Sequence, residues 1–201
     1  MLIDIKAYAK DIRGVIHIGA HKGEEHDIYK NNNIHPIIWI EANPEYSRIL
    51  QEKSSPEDLV IISAVGNKDC EINFNVSNNG QSSSILEMGT HLNLHPGIYY
   101  THNITIPMNR MSTLIDKYKI NMDNYNFLNI DIQGYELEAI KSFDSNINKF
   151  EYIYSEINTD YVYKNCALIN ELDDYLHQYK FKRIFTKMWN KWGDAIYKRG
   201  D

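Results

Sequence analysis

Residues 14–24, Gly-Val-Ile-His-Ile-Gly-Ala-His-Lys-Gly-Glu, form an apolar run that ends in two glycines four positions apart and then turns polar. This is the pattern of a buried strand feeding a tight turn and a helix N-terminus, the arrangement by which an α/β protein brings backbone N–H groups up to a nucleotide-like ligand. Eighteen residues past Gly23, the next apolar run, Pro36 to Ile40, closes on Glu41. An acidic side chain at the end of a second strand suits a ribose diol. The glycines alone leave another reading open, in which they serve only the packing of strand against helix.

Comparable apolar runs recur with helix-like segments between them, and that alternation argues for βαβ units and a mostly parallel sheet. Strands are expected at Val15 to Ile18, Ile37 to Ile40, Leu59 to Ala64, Phe127 to Ile130, Tyr152 to Ile157, Phe181 to Thr186 and Ala195 to Lys198. Helices fit Glu24 to Asn31, Pro44 to Glu52, Ser112 to Tyr118, Tyr135 to Ser142 and Ala167 to Gln178. In the last, Leu168, Leu172 and Leu176 form one apolar stripe, with Asp173, Asp174 and Gln178 opposite. The final two strands, joined by a connector holding Asn190 and Gly193, suit an antiparallel hairpin and hence a mixed sheet.

Glu71 to Val76 extends strand pairing after the turn Gly66-Asn67-Lys68-Asp69, and an irregular stretch follows from Ser77 to Pro107. A segment of that length inside a compact domain is usually functional or disordered. Its Tyr99-Tyr100, His91 and His95 argue against simple disorder. Residues 77–107 are therefore read as a substrate-side lid.

At 201 residues the chain is expected to be a single domain, 1–201, able to bury roughly 70% of its unfolded surface without a metal or disulfide staple. Lys+Arg 21 against Asp+Glu 27 gives a formal charge of -6, which does not suggest the broad basic face of a nucleic-acid binder. Cys70 and Cys166 have no zinc or redox spacing and read as reduced thiols of a cytoplasmic protein. Met1 to Lys10 lacks the uninterrupted apolar core of a signal peptide, and no apolar run reaches the roughly 18 residues of a membrane span.

In this order the pieces resemble the FkbM family of S-adenosylmethionine-dependent methyltransferases. The most specific segment is Phe127-Leu128-Asn129-Ile130-Asp131-Ile132-Gln133-Gly134-Tyr135-Glu136, similar to that family's strand, Asp and Gly-x-Glu. Gly19-Ala20-His21-Lys22-Gly23, Glu41-Ala42-Asn43-Pro44, Ser112-Thr113-Leu114-Ile115-Asp116 and Trp192-Gly193-Asp194-Ala195-Ile196-Tyr197 support it. The resemblance implies a class I methyltransferase fold, Rossmann-like and α/β. Its mixed seven-stranded sheet would have the order 3-2-1-4-5-7-6, the last strand antiparallel, and helices on both faces. His17 departs from the family, which usually has Asp there, and is read either as a ligand contact or as a buried, hydrogen-bonded structural residue.

By the same resemblance, His17, Gly19, His21, Gly23, Glu24, Glu41, Ala42, Asn43, Ala64, Val65 and Asp131 would hold S-adenosylmethionine, with S-adenosylhomocysteine as product. Glu41 would accept from the ribose hydroxyls, and adenine would lie between Ala42–Asn43 and Ala64–Val65. Asp131 would act as base or organiser, with Glu136 one turn on as its alternative; for Glu136, a capping carboxylate in the first helical turn is the competing reading. Glu156, Asn158, Trp192 and Asp194 would meet the acceptor, with His91 and His95 reaching from the loop and His102 beside them. No metal is assigned; Asp131 and Glu156 are the pair a divalent cation would use.

The implied reaction is O-methylation of a carbohydrate or small metabolite, with no nucleic-acid or membrane partner. Two other readings stay open. A nicotinamide-dependent oxidoreductase would prefer Gly-x-Gly-x-x-Gly, which this turn lacks. A cofactor-binding module without catalysis is the other, and intact Asp131 and Glu136 argue against it.

Overall fold

The computed structural model describes residues 5–200; Met1–Asp4, the start of the segment read for a leader, and Asp201 lie outside the described residues. The seven strands of the main sheet are β1 (Val15–Ile18), β2 (Ile37–Glu41), β3 (Leu59–Ile62), β7 (Phe127–Ile130), β8 (Tyr152–Asn158), β9 (Phe181–Trp189) and β10 (Trp192–Arg199). They lie in the order β3-β2-β1-β7-β8-β10-β9. Counted within this sheet, that is the expected 3-2-1-4-5-7-6. Neighbours among β3, β2, β1, β7 and β8 pair in parallel, whereas β10 is antiparallel to both β8 and β9.

Helices cover both faces, which is why β1 and β2 are apolar almost throughout rather than alternating. On one face Ile16, Ile38, Leu128 and Ile153 meet α5 (Met111–Tyr118), α6 (Glu136–Lys141) and α7 (Ile169–Gln178) through Leu114, Ile140, Leu172 and Leu176. On the other, Val15, Ile37, Trp39 and Phe127 meet α1 (Ile5–Tyr8), α2 (His26–Asn31) and α3 (Pro44–Lys53) through Ile5, Tyr29 and Leu50. Emptying any of these buried positions to Ala costs about 2–5 kcal/mol. Helix ends differ from the expected ones by one or two residues, the usual fraying of terminal turns. The start of α3 is fixed by Asn43, whose side chain accepts from Glu45 N at 2.9 Å, with Pro44 at the first helical position.

Two expectations need correction. The run Leu59 to Ala64 is not one strand. It breaks at Ser63, where the chain leaves β3 and enters β4 (Ala64–Val65) of a second, three-stranded sheet ordered β4-β6-β5. Ser63 Oγ bridges the break, donating to Ala64 O at 2.6 Å. Nor is 77–107 irregular throughout: β6 (Tyr100–Asn109) pairs antiparallel with β5 (Cys70–Ser77) from Cys70↔Met108 to Ser77↔Tyr100. The missed signal is alternation: Ile104, Ile106 and Met108 pack with Phe74 and Val76 in a small core of their own. Pro107 masked it, since proline inside a run reads against a strand. Here β4 pairs only with Met108 and Asn109, so Pro107 is an edge position on that side. The remaining connection, 78–99, carries the short helix α4 (His91–Leu94).

The hairpin runs longer than expected, with Asn190-Lys191 as its turn and Asn190 at φ +66°. Cys70 and Cys166 are unpaired thiols. Among the described residues no helix is long and apolar enough to cross a membrane.

Candidate active site

The strand order reverses between β1 and β7, the point where open α/β sheets bind ligands beyond their carboxyl ends. There the chain is stitched together by backbone. Gly19 N and Ala20 N donate to Ile40 O at 2.9 and 3.2 Å, and Asp131 N donates to Ile18 O at 3.1 Å. Gly19 has φ +80°, and a Cβ there would lie 1.8 Å from Asp131 O, so no other residue fits. The turn then carries His21 at φ +46° and presents its N–H to Glu41 Oε2 at 2.7 Å. Asn43 N donates to the other oxygen, Oε1, also at 2.7 Å.

Glu41 is thus fixed at the end of β2 with 6% of its surface exposed. Burial pushes its carboxyl up to about 7, against the pull of the backbone N–H groups of Asn43 and His21. Each oxygen still has acceptor capacity for a ligand hydroxyl. Beside it opens a cavity at the carboxyl ends of the strands. Gly19, His21, Glu41 and Ala42 form one side, Ser63, Ala64 and Val65 a second, and Asp131, Ile132 and Gln133 a third. Phe74, Gly80, Gln81, Ser83, Ile85 and Tyr135 complete it.

Those six, like Ser63, Ile132 and Gln133, were not anticipated as site residues; the six come from the second sheet, the long connection and the residue preceding α6. Gly80 was the readable one: its φ is +76°, and a Cβ would lie 2.1 Å from Tyr46 Oη and 3.0 Å from His21 Nε2. The connection is therefore pressed onto the turn after β1. His21 Nδ1 is 2.6 Å from Glu24 Oε1, while its Nε2 is buried without a partner.

At the end of β7 stands a second group. One carboxylate oxygen each of Asp131, Glu136 and Glu156 lies within 4.8 Å of the others, a grouping that could hold a divalent cation. Gln133 already works on two of them: its Nε2 donates to Asp131 Oδ1 at 2.6 Å and to Glu156 Oε2. Its Oε1 accepts from Tyr163 Oη at 2.6 Å and its backbone carbonyl from Ser84 Oγ at 2.8 Å. Glu136 Oε1 accepts from Ile132 N and Gly134 N, both at 3.0 Å, and so ties down the turn that carries Asp131. Burial pushes Glu136 up to about 7. Glu156 is pushed well above the usual carboxylate range, first by burial and then by the charge of Asp131.

The other residues singled out in the sequence divide into those near these groups and those apart from them. Ala42, Ala64 and Val65 line the cavity, whereas Asn43 caps α3 and Gly23, at φ +69°, shapes the turn. His17 does not line it. It is buried under the sheet, accepting from Asn129 Nδ2 at 3.2 Å on Nε2, with Nδ1 3.3 Å from Tyr29 Oη. Burial lowers its pKa to about 4, so the ring is neutral. Asp194 faces Glu156, and Trp192 faces Asn158, across the β8–β10 ladder. Tyr154 Oη donates to Asp194, whose carboxyl burial pushes up to about 6. His91 lies in α4 with its ring 5.4 Å from Tyr163 and 5.0 Å from His95, one residue removed from Gln133. His102 is exposed on β6, its Nδ1 2.9 Å from Thr101 Oγ1.

The sequence profile of the methyltransferase FkbM domain matches residues 17–183, from β1 into β9. The chain belongs to the FkbM methyltransferase family. S-adenosylmethionine is accordingly the methyl donor. Solved structures share the fold. One is Sp1610 of Streptococcus pneumoniae, described as a candidate tRNA (m1A22) methyltransferase, with TM-score 0.57 and 7% identity over 98% of this chain and 68% of that one. Another is the ribosomal protein L11 methylase of Lactobacillus delbrueckii subsp. bulgaricus, with TM-score 0.53 and 13% identity over 98% and 75%. M. capricolum TrmK, solved with its cofactor product S-adenosylhomocysteine, has TM-score 0.51 and 10% identity over 99% and 68%. No curated protein matches the sequence.

Proposed function

We propose that this FkbM methyltransferase methylates a hydroxyl of a carbohydrate or another small metabolite. The observation that carries the reading is Asp131, an exposed carboxylate at the cavity edge whose orientation is fixed by Gln133 and whose neighbour Glu156 is raised in pKa. S-adenosylmethionine supplies an electrophilic methyl group on a sulfonium. The residues present fit such a ligand: a turn lining the cavity at Gly19 and His21, a buried carboxylate for the diol, and apolar walls at Ala42, Ala64 and Val65 for a base. The amino-acid end falls to the turn from Gly19 to Glu24.

An alcohol is a weak nucleophile until its proton begins to leave, and a positioned base contributes about 10²–10⁴-fold. Asp131 takes that proton as the oxygen attacks, and Glu136 keeps the turn beneath it in place. A nicotinamide oxidoreductase finds no support in the glycine spacing, and the Asp131–Gln133–Glu156 grouping favours catalysis over mere cofactor binding. The formal charge of -6 supports a small acceptor over nucleic acid, and the two free thiols suit a cytoplasmic setting.

Calorimetry with S-adenosylhomocysteine and NAD tests the cofactor, with binding expected for the first alone. Asp131→Asn should keep that affinity and lose turnover; full turnover in this variant would remove Asp131 from the reaction. Activity after EDTA treatment decides whether the three carboxylates use a cation, and the expected result is no change.

A further inference from the structure

Asn158 ends β8 with 1% of its surface exposed, and neither Nδ2 nor Oδ1 has a hydrogen-bond partner. A buried amide left unpaired is costly, and native proteins keep few of them. Strand alternation places Asn158 on the face that carries Glu156, and cross-strand pairing puts Trp192 beside it and Asp194 beside Glu156. Trp192, its partner across the ladder, is only half-buried at the strand ends. The charged groups that act on this corner are mostly acidic: Asp131, Glu136 and Asp194 act on Glu156, and Asp131 and Glu25 on Tyr154. Lys187 is a basic side chain acting on Asp194.

An amide with a free donor and a free acceptor matches a group that offers both, as a hydroxyl does. A field of carboxylates repels phosphate and carboxylate ligands. We propose that the end of β8 is an acceptor-recognition subsite in which Asn158 binds hydroxyl groups of an uncharged acceptor, while the surrounding carboxylates reject anionic ones. This rests on the methyl-transfer reading above and adds to it the charge class of the acceptor and the residue that selects it.

The test uses the full chain and methyl transfer from S-adenosylmethionine to a panel of neutral methyl hexopyranosides, their 6-phosphates and bulk tRNA. At least one neutral glycoside should be methylated, with kcat/KM about 100-fold or more above its phosphate and above tRNA. Asn158→Ala should raise KM for that glycoside about 10-fold or more, as expected for losing a buried polar contact, with S-adenosylhomocysteine affinity within about twofold. Asn158→Leu, close in volume and without polar atoms, should abolish glycoside use yet raise Tm by about 2–4 °C, because it removes an unpaired amide. A lower Tm in Asn158→Leu would mean the amide is structural. Preference for a phosphate or tRNA, an unchanged KM in Asn158→Ala, or methylation of no glycoside by protein that binds S-adenosylhomocysteine would each overturn the proposal. Absence of S-adenosylhomocysteine binding would instead bring down the reading on which it rests.

Discussion

Gln133 holds Asp131 from two residues away, its Nε2 at 2.6 Å from Asp131 Oδ1, and it does so from a backbone at φ +59°. A left-handed conformation is uncommon for a residue with a side chain and is sustained where surrounding contacts demand it. Here Tyr163 and Ser84 take the amide and carbonyl oxygens of Gln133, so the NH₂ group is the part that faces the carboxylates. A residue of modest chemistry thereby sets the geometry of the carboxylate proposed as the base.

Replacing Gln133 by Ala should therefore lower kcat about 10–100-fold, as expected for hydrogen bonds to charged groups. S-adenosylhomocysteine affinity should change far less. Tyr163→Phe, which removes the donor to Gln133 Oε1, should show a smaller loss in the same direction. An unchanged kcat in Gln133→Ala would reduce Gln133 to a packing role.

Gly80 presses the long connection onto Tyr46. Gly80→Ala adds a Cβ at φ +76° and 2.1 Å from Tyr46 Oη, so the cavity wall must shift. Calorimetry should show S-adenosylhomocysteine affinity down about 10-fold, within the range set by backbone strain of 1–3 kcal/mol. Tyr46→Phe in the same chain removes the clashing oxygen and should restore part of the loss, a coupling that a double-mutant cycle measures.

Stability against pH separates two buried titratable groups, Glu41 at the end of β2 and His17 within β1. Burial raises Glu41 to about 7 from its ordinary 4.5, so between those pH values the folded chain holds a proton that the unfolded chain has released. Its contribution favours folding at low pH and is lost as pH rises, by on the order of 3 kcal/mol across that window. Urea denaturation should show the stability of wild type relative to Glu41→Gln falling from pH 4.5 to 7 and level above it.

His17 has the opposite sign. Its pKa is lowered from 6.5 to about 4 by burial, so the unfolded chain binds the extra proton in that interval and stability rises with pH through it. His17→Gln should flatten that rise. It should leave S-adenosylhomocysteine affinity unchanged if the contacts to Asn129 and Tyr29 are the whole of its role. A tenfold loss of affinity would return His17 to the cofactor site.

Much of this was legible in the chain itself, and for identifiable reasons. Periodicity located the strands and the α7 stripe, because burial on one face or two leaves a direct imprint on residue order. Gly19 and Glu41 were readable because a left-handed turn and a strand-end carboxylate are local demands. The second sheet was not: Pro107 concealed an alternation that becomes meaningful only when β5 lies alongside.

Local order alone indicated alternating strands and helices, a mostly parallel sheet and a glycine turn after its first strand, and the motif at Phe127 to Glu136 carried the family. Only the tertiary structure decided which polar residues share a site. Gln133, Gly80 and Tyr163 reach their partners through contacts between segments far apart in sequence, and His17 is directed beneath the sheet by the side of β1 on which it falls. Which carboxyl stays protonated likewise depends on burial and on neighbours brought close by folding, quantities that no spacing along a chain records.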